Sequence, residues 1–214
     1  MDILAKLFGG QARVRIMRLF LLNNGNFEIA EIVSHSRVTR ANVRKEINAL
    51  MSLDFIRQKT ITKEGARGGK KKVSVWSLNN HFPYLQPIKE ILIDPDLLIQ
   101  EDLIARFKQV GRMKLLIVAG VFIGQEKSRA DLLLVADKIK KTLLNQVIKG
   151  LEAEIGKELN YVVFDSKEFK YRLDMYDKLV CDIIDKPHEK LFDSGQLSTY
   201  ISKKYFGFFL LAKS

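Results

Sequence analysis

A chain of 214 residues with 47% apolar content has room for one large or two small domains and is not a disordered polymer. Its net charge of +11 sits mainly in residues 1–80, where fifteen Lys/Arg face six Asp/Glu for a net +9, leaving +2 for the rest. That asymmetry predicts attraction to a polyanion, while the single cysteine, Cys181, excludes an intramolecular disulfide and the scattered His35, His81 and His188 argue against a zinc site.

The N-terminal residues Met1 to Phe8 are apolar on one helical face but lack the long apolar core and cleavage site of a secretory signal. No run reaches the roughly 20 apolar residues needed to cross a bilayer. A reducing, cytoplasmic setting with no membrane partner is expected. Ala12 to Leu22 places Ile16, Leu19 and Phe20 at helical spacing, and Asn23 to Asn26 supplies a stop and a turn. Phe27 is expected to form a short strand, followed by a helix burying Ile29, Ile32 and Val33 and a turn over Ser34 to Val38.

Thr39 has the chemistry of an N-cap, and Val43, Ile47 and Leu50 then recur on one stripe of a helix. The opposite face presents Ala41, Arg44, Lys45 and Asn48, flanked by Arg40 and Asn42. Two strand-like runs follow, Phe55 to Ile61 and Val73 to Leu78, around a basic glycine-rich stretch from Lys63 to Lys72. Gly65, Gly68 and Gly69 suit a loose hairpin tip, and Lys63, Arg67, Lys70, Lys71 and Lys72 outnumber the lone Glu64. A phosphate-binding P-loop does not fit, because the glycine spacing is short and Lys71 stands where a hydroxyl is required.

Helix, turn, polar-faced helix and cationic hairpin is the order in which a winged helix-turn-helix offers one helix to the DNA major groove and a wing to the backbone. Thr39, Arg40, Asn42, Arg44, Lys45 and Asn48 are the expected groove residues. Arg and Asn among them suit bidentate contacts to guanine and adenine. Lys63, Arg67, Lys70, Lys71 and Lys72 are the expected phosphate contacts, supported by Arg57 and Lys59 on the first wing strand.

Pro83, Pro87 and Pro95 punctuate a connector with helix-like segments at Ile88 to Ile93 and Leu97 to Val110. Beyond it, Met113 to Val118, Asp131 to Val135 and Tyr161 to Phe164 read as strands, with a helix-like stretch from Lys138 to Leu159 before the third. Glu168 to Leu173 and Tyr176 to Ile184 read as helices. The expected fold is α+β: a winged helix-turn-helix domain over residues 1–80, a helical connector over 81–110 and an α/β domain over 111–214.

Residues 115–135 resemble the opening of a minimal nucleotidyltransferase domain, in which a strand leads to Gly-Ser and a second strand carries Asp-x-Asp. Gly120 keeps the glycine of that pattern and Asp131 keeps one carboxylate, but Val121 replaces the serine and Arg129 replaces the other carboxylate. The resemblance therefore implies a degenerate nucleotide site at Gly120, Arg129 and Asp131, with no catalytic residue, metal or cofactor assigned.

Further matches at Leu7, Phe8, Gly9, Ala12, Arg13, Leu78 to Asn80, Phe82 to Tyr84, Glu158 to Val163, Glu168, Phe169, Arg172, Leu173 and Pro187 widen the likeness. From about Leu4 to Asp193 the chain resembles winged-helix transcriptional regulators fused to a nucleotidyltransferase-like domain, with an N-terminal half similar to the arsenic-repressor type. That family implies binding to double-stranded DNA. Thiolate metal sensing would need ligands that this sequence lacks.

The expectation is a DNA-binding transcriptional regulator whose second domain serves dimerisation, ligand or partner binding, with a homodimer built through Tyr200 to Ala212 and an effector that is a nucleotide or a protein. One competing reading is an active nucleotidyltransferase that modifies protein or RNA, using Asp131 with carboxylates such as Glu126 or Asp137. The other is a protein-interaction scaffold, which would not need the +9 of the N-terminal unit.

Overall fold

The computed structural model describes residues 3–64, 69–93, 102–125 and 128–202. The fold is mixed α+β with two small sheets, in two compact units: Met1–Asp94 together with Lys149–Glu158, and Pro95–Ile148 together with Leu159–Ser214. The segment 149–158, read in the sequence as part of the second domain, thus belongs by its contacts to the first unit.

The first unit contains α1 (Ile3–Phe8), α2 (Gln11–Leu22), α3 (Ile29–Ser36), α4 (Arg40–Ser52), β1 (Ile56–Glu64), β2 (Lys70–Leu78) and α5 (Leu85–Leu92). Helix α2 is central: Val14, Ile16, Met17, Leu19, Phe20 and Leu21 are all buried, so packing covers more than one side of it. Ile32, Val43, Ile47, Leu50, Phe55, Ile56 and Trp76 complete the same core.

Helix α3 starts at a capping box in which Glu28 and Glu31 satisfy each other's backbone amides. It runs on through Ser36, where the expected turn should already have begun, because the Ser36 hydroxyl bonds back to the Ile32 carbonyl at 2.6 Å. The turn is therefore Arg37 to Thr39, opened by Arg37 in the left-handed region at φ 52°. Thr39 occupies the N-cap position of α4 in extended conformation, but its side chain makes no capping hydrogen bond, contrary to the sequence expectation.

Phe27 forms the expected strand-like bridge, exchanging 2.9 Å backbone hydrogen bonds with Trp76. The hairpin strands are longer than their apolar residues indicated, since the antiparallel register continues through Thr62↔Lys72, Lys63↔Lys71 and Glu64↔Lys70. Backbone pairing carries these charged residues into the ladder.

The second unit contains α6 (Asp102–Lys108), β3 (Arg112–Val118), a 3₁₀ turn (Gly120–Ile123), β4 (Leu132–Asp137), α7 (Lys141–Ile155, whose end belongs to the first unit), β5 (Tyr161–Phe164), α8 (Ser166–Asp174), α9 (Lys178–Asp185) and β6 (Glu189–Asp193). Sheet order is β5-β4-β3-β6, with β4 and β5 parallel and the other pairs antiparallel. Leu115 to Val118 and Leu132 to Ala136 are at most 1% exposed, so both faces of β3 and β4 are covered.

Several helix ends differ from the periodicity for identifiable reasons. Lys138 at φ 54° delays α7 to Lys141, and Gly156 at φ 86° closes it. Tyr176 at φ 52° delays α9 until Asp177 caps it through the amides of Leu179 and Val180. Of the expected helix Leu97 to Val110, residues 97–101 lie outside the described part, and the described portion is helical over Asp102–Lys108. No helix among the described residues is long and apolar enough to cross a membrane.

Candidate nucleic-acid interface

Helix α4 separates its two faces cleanly. Val43, Ile47 and Leu50 are at most 2% exposed, while Arg40, Ala41, Asn42, Arg44, Lys45 and Asn48 are exposed, as is Thr39 before them. No Asp or Glu among the described residues pairs with Arg40, Arg44 or Lys45. Their guanidinium and ammonium groups therefore face solvent with donors to spare.

One residue of α4 departs from the helical pattern. Glu46 is buried, and Arg13 of α2 donates Nε–H to its Oε2 at 2.6 Å. A charged side chain on the inner side of an amphipathic helix is invisible to hydrophobic periodicity. Its partner lies 33 positions earlier.

The hairpin cations divide between two faces, because side chains alternate along each strand and directly paired residues share a side. Arg57, Lys59, Lys63 and Lys71 share one side with Val73 and Val75, whereas Lys70 and Lys72 lie on the other with Thr62, Glu64 and Trp76. The two exposed lysines Lys63 and Lys71 are directly paired, a repulsive arrangement. Arg67 lies outside the described residues.

One expected phosphate contact, Lys63, and one expected supporting residue, Arg57, are already engaged. Arg57 makes a two-point contact with Asp54, Nε to Oδ1 at 3.2 Å and Nη2 to Oδ2 at 3.1 Å, and this holds the Asp54 carboxyl below its ordinary range. Lys63 Nζ donates to Glu28 Oε1 at 2.6 Å, a hydrogen bond that raises the lysine pKa and ties the hairpin to the start of α3. The Glu28 partner was not anticipated from the sequence, since pairing across 35 positions has no local signature, whereas Asp54 lies only three positions before Arg57. Arg37, passed over as a turn residue, is exposed three positions before α4 begins.

The second-unit positions singled out in the sequence do come together in part. Gly120 opens the 3₁₀ turn at φ 55°, and a Cβ there would run into the Asp131 carboxylate. Asp131 is buried; its Oδ1 accepts the Val121 amide and its Oδ2 the Asn160 amide, each at 2.9 Å. Both carboxylate oxygens thus staple the turn after β3 to the start of β5. Arg129 points elsewhere, with Nε 2.7 Å from Asp182 Oδ2.

Asp137 cannot share a metal with Asp131. Asp131 immediately precedes β4 and Asp137 ends it, six residues apart, which is about 20 Å along an extended strand. Asp137 also accepts the Ser166 amide at 3.0 Å, the leading reason its carboxyl is held below its ordinary range. Glu126, the other carboxylate considered, lies outside the described residues. Among the described residues no group of three or more His, Cys, Asp or Glu could hold a metal ion.

Comparison with family models, with curated proteins and with solved structures finds no match to this chain.

Proposed function

We propose that the protein is a sequence-specific, double-stranded DNA-binding protein of the winged helix-turn-helix class. Within that class it acts as a cytoplasmic transcriptional regulator, with α4 as its recognition helix, β1 and β2 as its wing, and a degenerate nucleotidyltransferase-like domain attached. The observation that carries this reading is the exposed row Arg40, Asn42, Arg44, Lys45 and Asn48 opposite a buried apolar stripe. Thirteen residues of α-helix span about 20 Å, and the major groove of about 12 Å admits one helix.

The wing adds support from electrostatics. Lys70, Lys71 and Lys72 are exposed and form no salt bridge with a carboxylate among the described residues, which leaves them available to phosphates, whereas Lys63 is already paired with Glu28. The second unit is proposed to serve dimerisation, or to bind a nucleotide or protein effector, rather than to transfer nucleotides. Asp131 is committed to two amides, and the partner carboxylate position holds Arg129. As a homodimer the protein would read two half-sites about one helical turn apart.

The test is binding of the full chain to duplexes enriched from a random pool, compared with Arg44→Ala and Asn48→Ala. Each substitution is expected to weaken the enriched duplex by about 1–3 kcal/mol and to relax preference at one base position. Equal affinity of wild type and both variants for enriched and scrambled duplexes would refute base reading by α4.

A further inference from the structure

We infer that Lys149 and Lys157, from the segment that returns to the first unit, form with Arg37 a second phosphate-binding cradle for the DNA backbone beside the start of α4. The inference rests on the DNA-binding reading above and names a part of the footprint outside the helix and wing. Ser34, His35 and Arg37 from the end of α3 line a polar cleft of about 410 Å³ together with Lys149, Lys157 and the backbone at Gly156. Arg37 lies close over the segment: its Nη1 would stand 3.9 Å from a Cβ built on Gly150.

The segment is held firmly enough for its lysines to have defined positions. Arg18 donates Nη1–H to the Glu154 carbonyl at 2.9 Å, and Asn23 donates to the Gly156 carbonyl at 2.6 Å. Arg15 adds an ion pair with Glu154 at 3.4 Å. Gly156 packs so tightly that a Cβ would stand 2.6 Å from the backbone of Arg18 and Leu19. The peptide is thus fixed against α2, while Arg37 and Lys149 are exposed and Lys157 half-buried.

Charge and placement together point to a phosphodiester. Arg37, Lys149 and Lys157 face two carboxylates in the same cleft, Glu152 and Glu158, so its fixed charge is positive before His35 is counted. Arg37 is three residues from Arg40, the first residue of the groove helix, within reach of the strand that borders a groove occupied by α4. The cleft contributes register and affinity, not sequence preference.

The experiment uses the full chain, the enriched duplex and a scrambled duplex at 50 and 200 mM salt, comparing wild type with Lys149→Gln/Lys157→Gln. Both positions are on the surface, and unchanged thermal unfolding confirms that the variant folds. Two lost phosphate contacts lower the salt slope by about two, so the variant should lose roughly tenfold less affinity than wild type across that salt range, equally on both duplexes. Glu152→Gln/Glu158→Gln should shift binding the opposite way. Wild-type binding with an unchanged slope in the lysine variant would overturn the cradle and leave DNA binding by α4 standing. No duplex binding by wild type would overturn the DNA reading itself. Saturable binding of pyrophosphate abolished by the lysine substitutions, with duplex binding unaffected, would assign the cleft to a small phosphate ligand and reject the backbone assignment.

Discussion

Arg13 and Glu46 join α2 to the inner side of α4 through a 2.6 Å charge-assisted hydrogen bond, with the Glu46 side chain 9% exposed and that of Arg13 28%. The apolar stripe of α4 supplies most of its burial, and this pair adds a directional polar tie to the central helix. Under the proposed DNA-binding role, such a tie would help hold the exposed row of α4 in one orientation.

Replacing Glu46 by Ala leaves the Arg13 guanidinium half-buried without its carboxylate. The expected cost is about 1–3 kcal/mol of stability in the first unit, read by urea denaturation. Glu46→Ala together with Arg13→Met, which removes both charges, should recover part of that loss. A single Glu46→Ala variant as stable as wild type would show that the pair does not hold the helix.

The wing cations should not be equal. Lys70, Lys71 and Lys72 changed together to Ala should weaken binding to all duplexes alike and lower the salt slope by about three. Arg57→Ala should lower it by less than one, because its guanidinium is already occupied by Asp54. A triple variant with unchanged affinity and slope would remove the hairpin from the footprint.

Asp131 is expected to act as a structural carboxylate. Asp131→Asn keeps its size but loses the charge that the Val121 and Asn160 amides donate to, at a cost of about 1.5–3 kcal/mol in the second unit. Gly120→Ala should also destabilise that unit, by roughly 1–3 kcal/mol or more, since positive φ and collision with Asp131 act together. Incubation of wild type with labelled nucleoside triphosphate and magnesium or manganese should transfer no label. Transfer abolished by Asp131→Asn in a folded variant would instead establish the enzyme reading.

Acid should loosen the second unit. Asp177 is held below its ordinary value of 3.8 by the Val180 amide first, and also by the Leu179 amide and Arg172, while Asp137 is held down chiefly by the Ser166 amide. A carboxylate with a depressed folded-state pKa contributes stability that is fully present above its unfolded value. That contribution disappears as pH falls from about 3.8 through the lower folded value. Urea denaturation should therefore show Asp177→Asn less stable than wild type at pH 7, with the gap narrowing below pH 4. A gap independent of pH would contradict the assignment.

The parts legible in the sequence were those with short-range periodicity or chain punctuation. Val43, Ile47 and Leu50 marked the buried side of α4, Phe27 marked the bridge to β2, and Tyr161 to Phe164 matched β5 residue for residue. The strand β6 was missed because Glu189–Asp193 is short and only half-buried, and its pairing with β3 is decided more than 70 positions away. Glu46 and Glu28 were missed as partners for a similar reason, their cations lying 33 and 35 positions away, whereas Asp54 pairs with Arg57 only three positions on and carries a local signal. The return of residues 149–158 to the first unit has no local signal either, since its anchors are backbone carbonyls reached from Arg18 and Asn23.

The central claim is that α4 reads base edges while cations around it grip the backbone. Selection of duplex DNA from a random pool by the full chain, with affinities of the enriched duplex measured at 50 and 200 mM salt, tests both halves together. The predicted result is a reproducible enriched sequence bound with a steep salt dependence, and loss of the preference in Arg44→Ala with the salt dependence largely kept. Recovery of an unenriched pool, or a preference that survives Arg44→Ala and Asn48→Ala together, would contradict it.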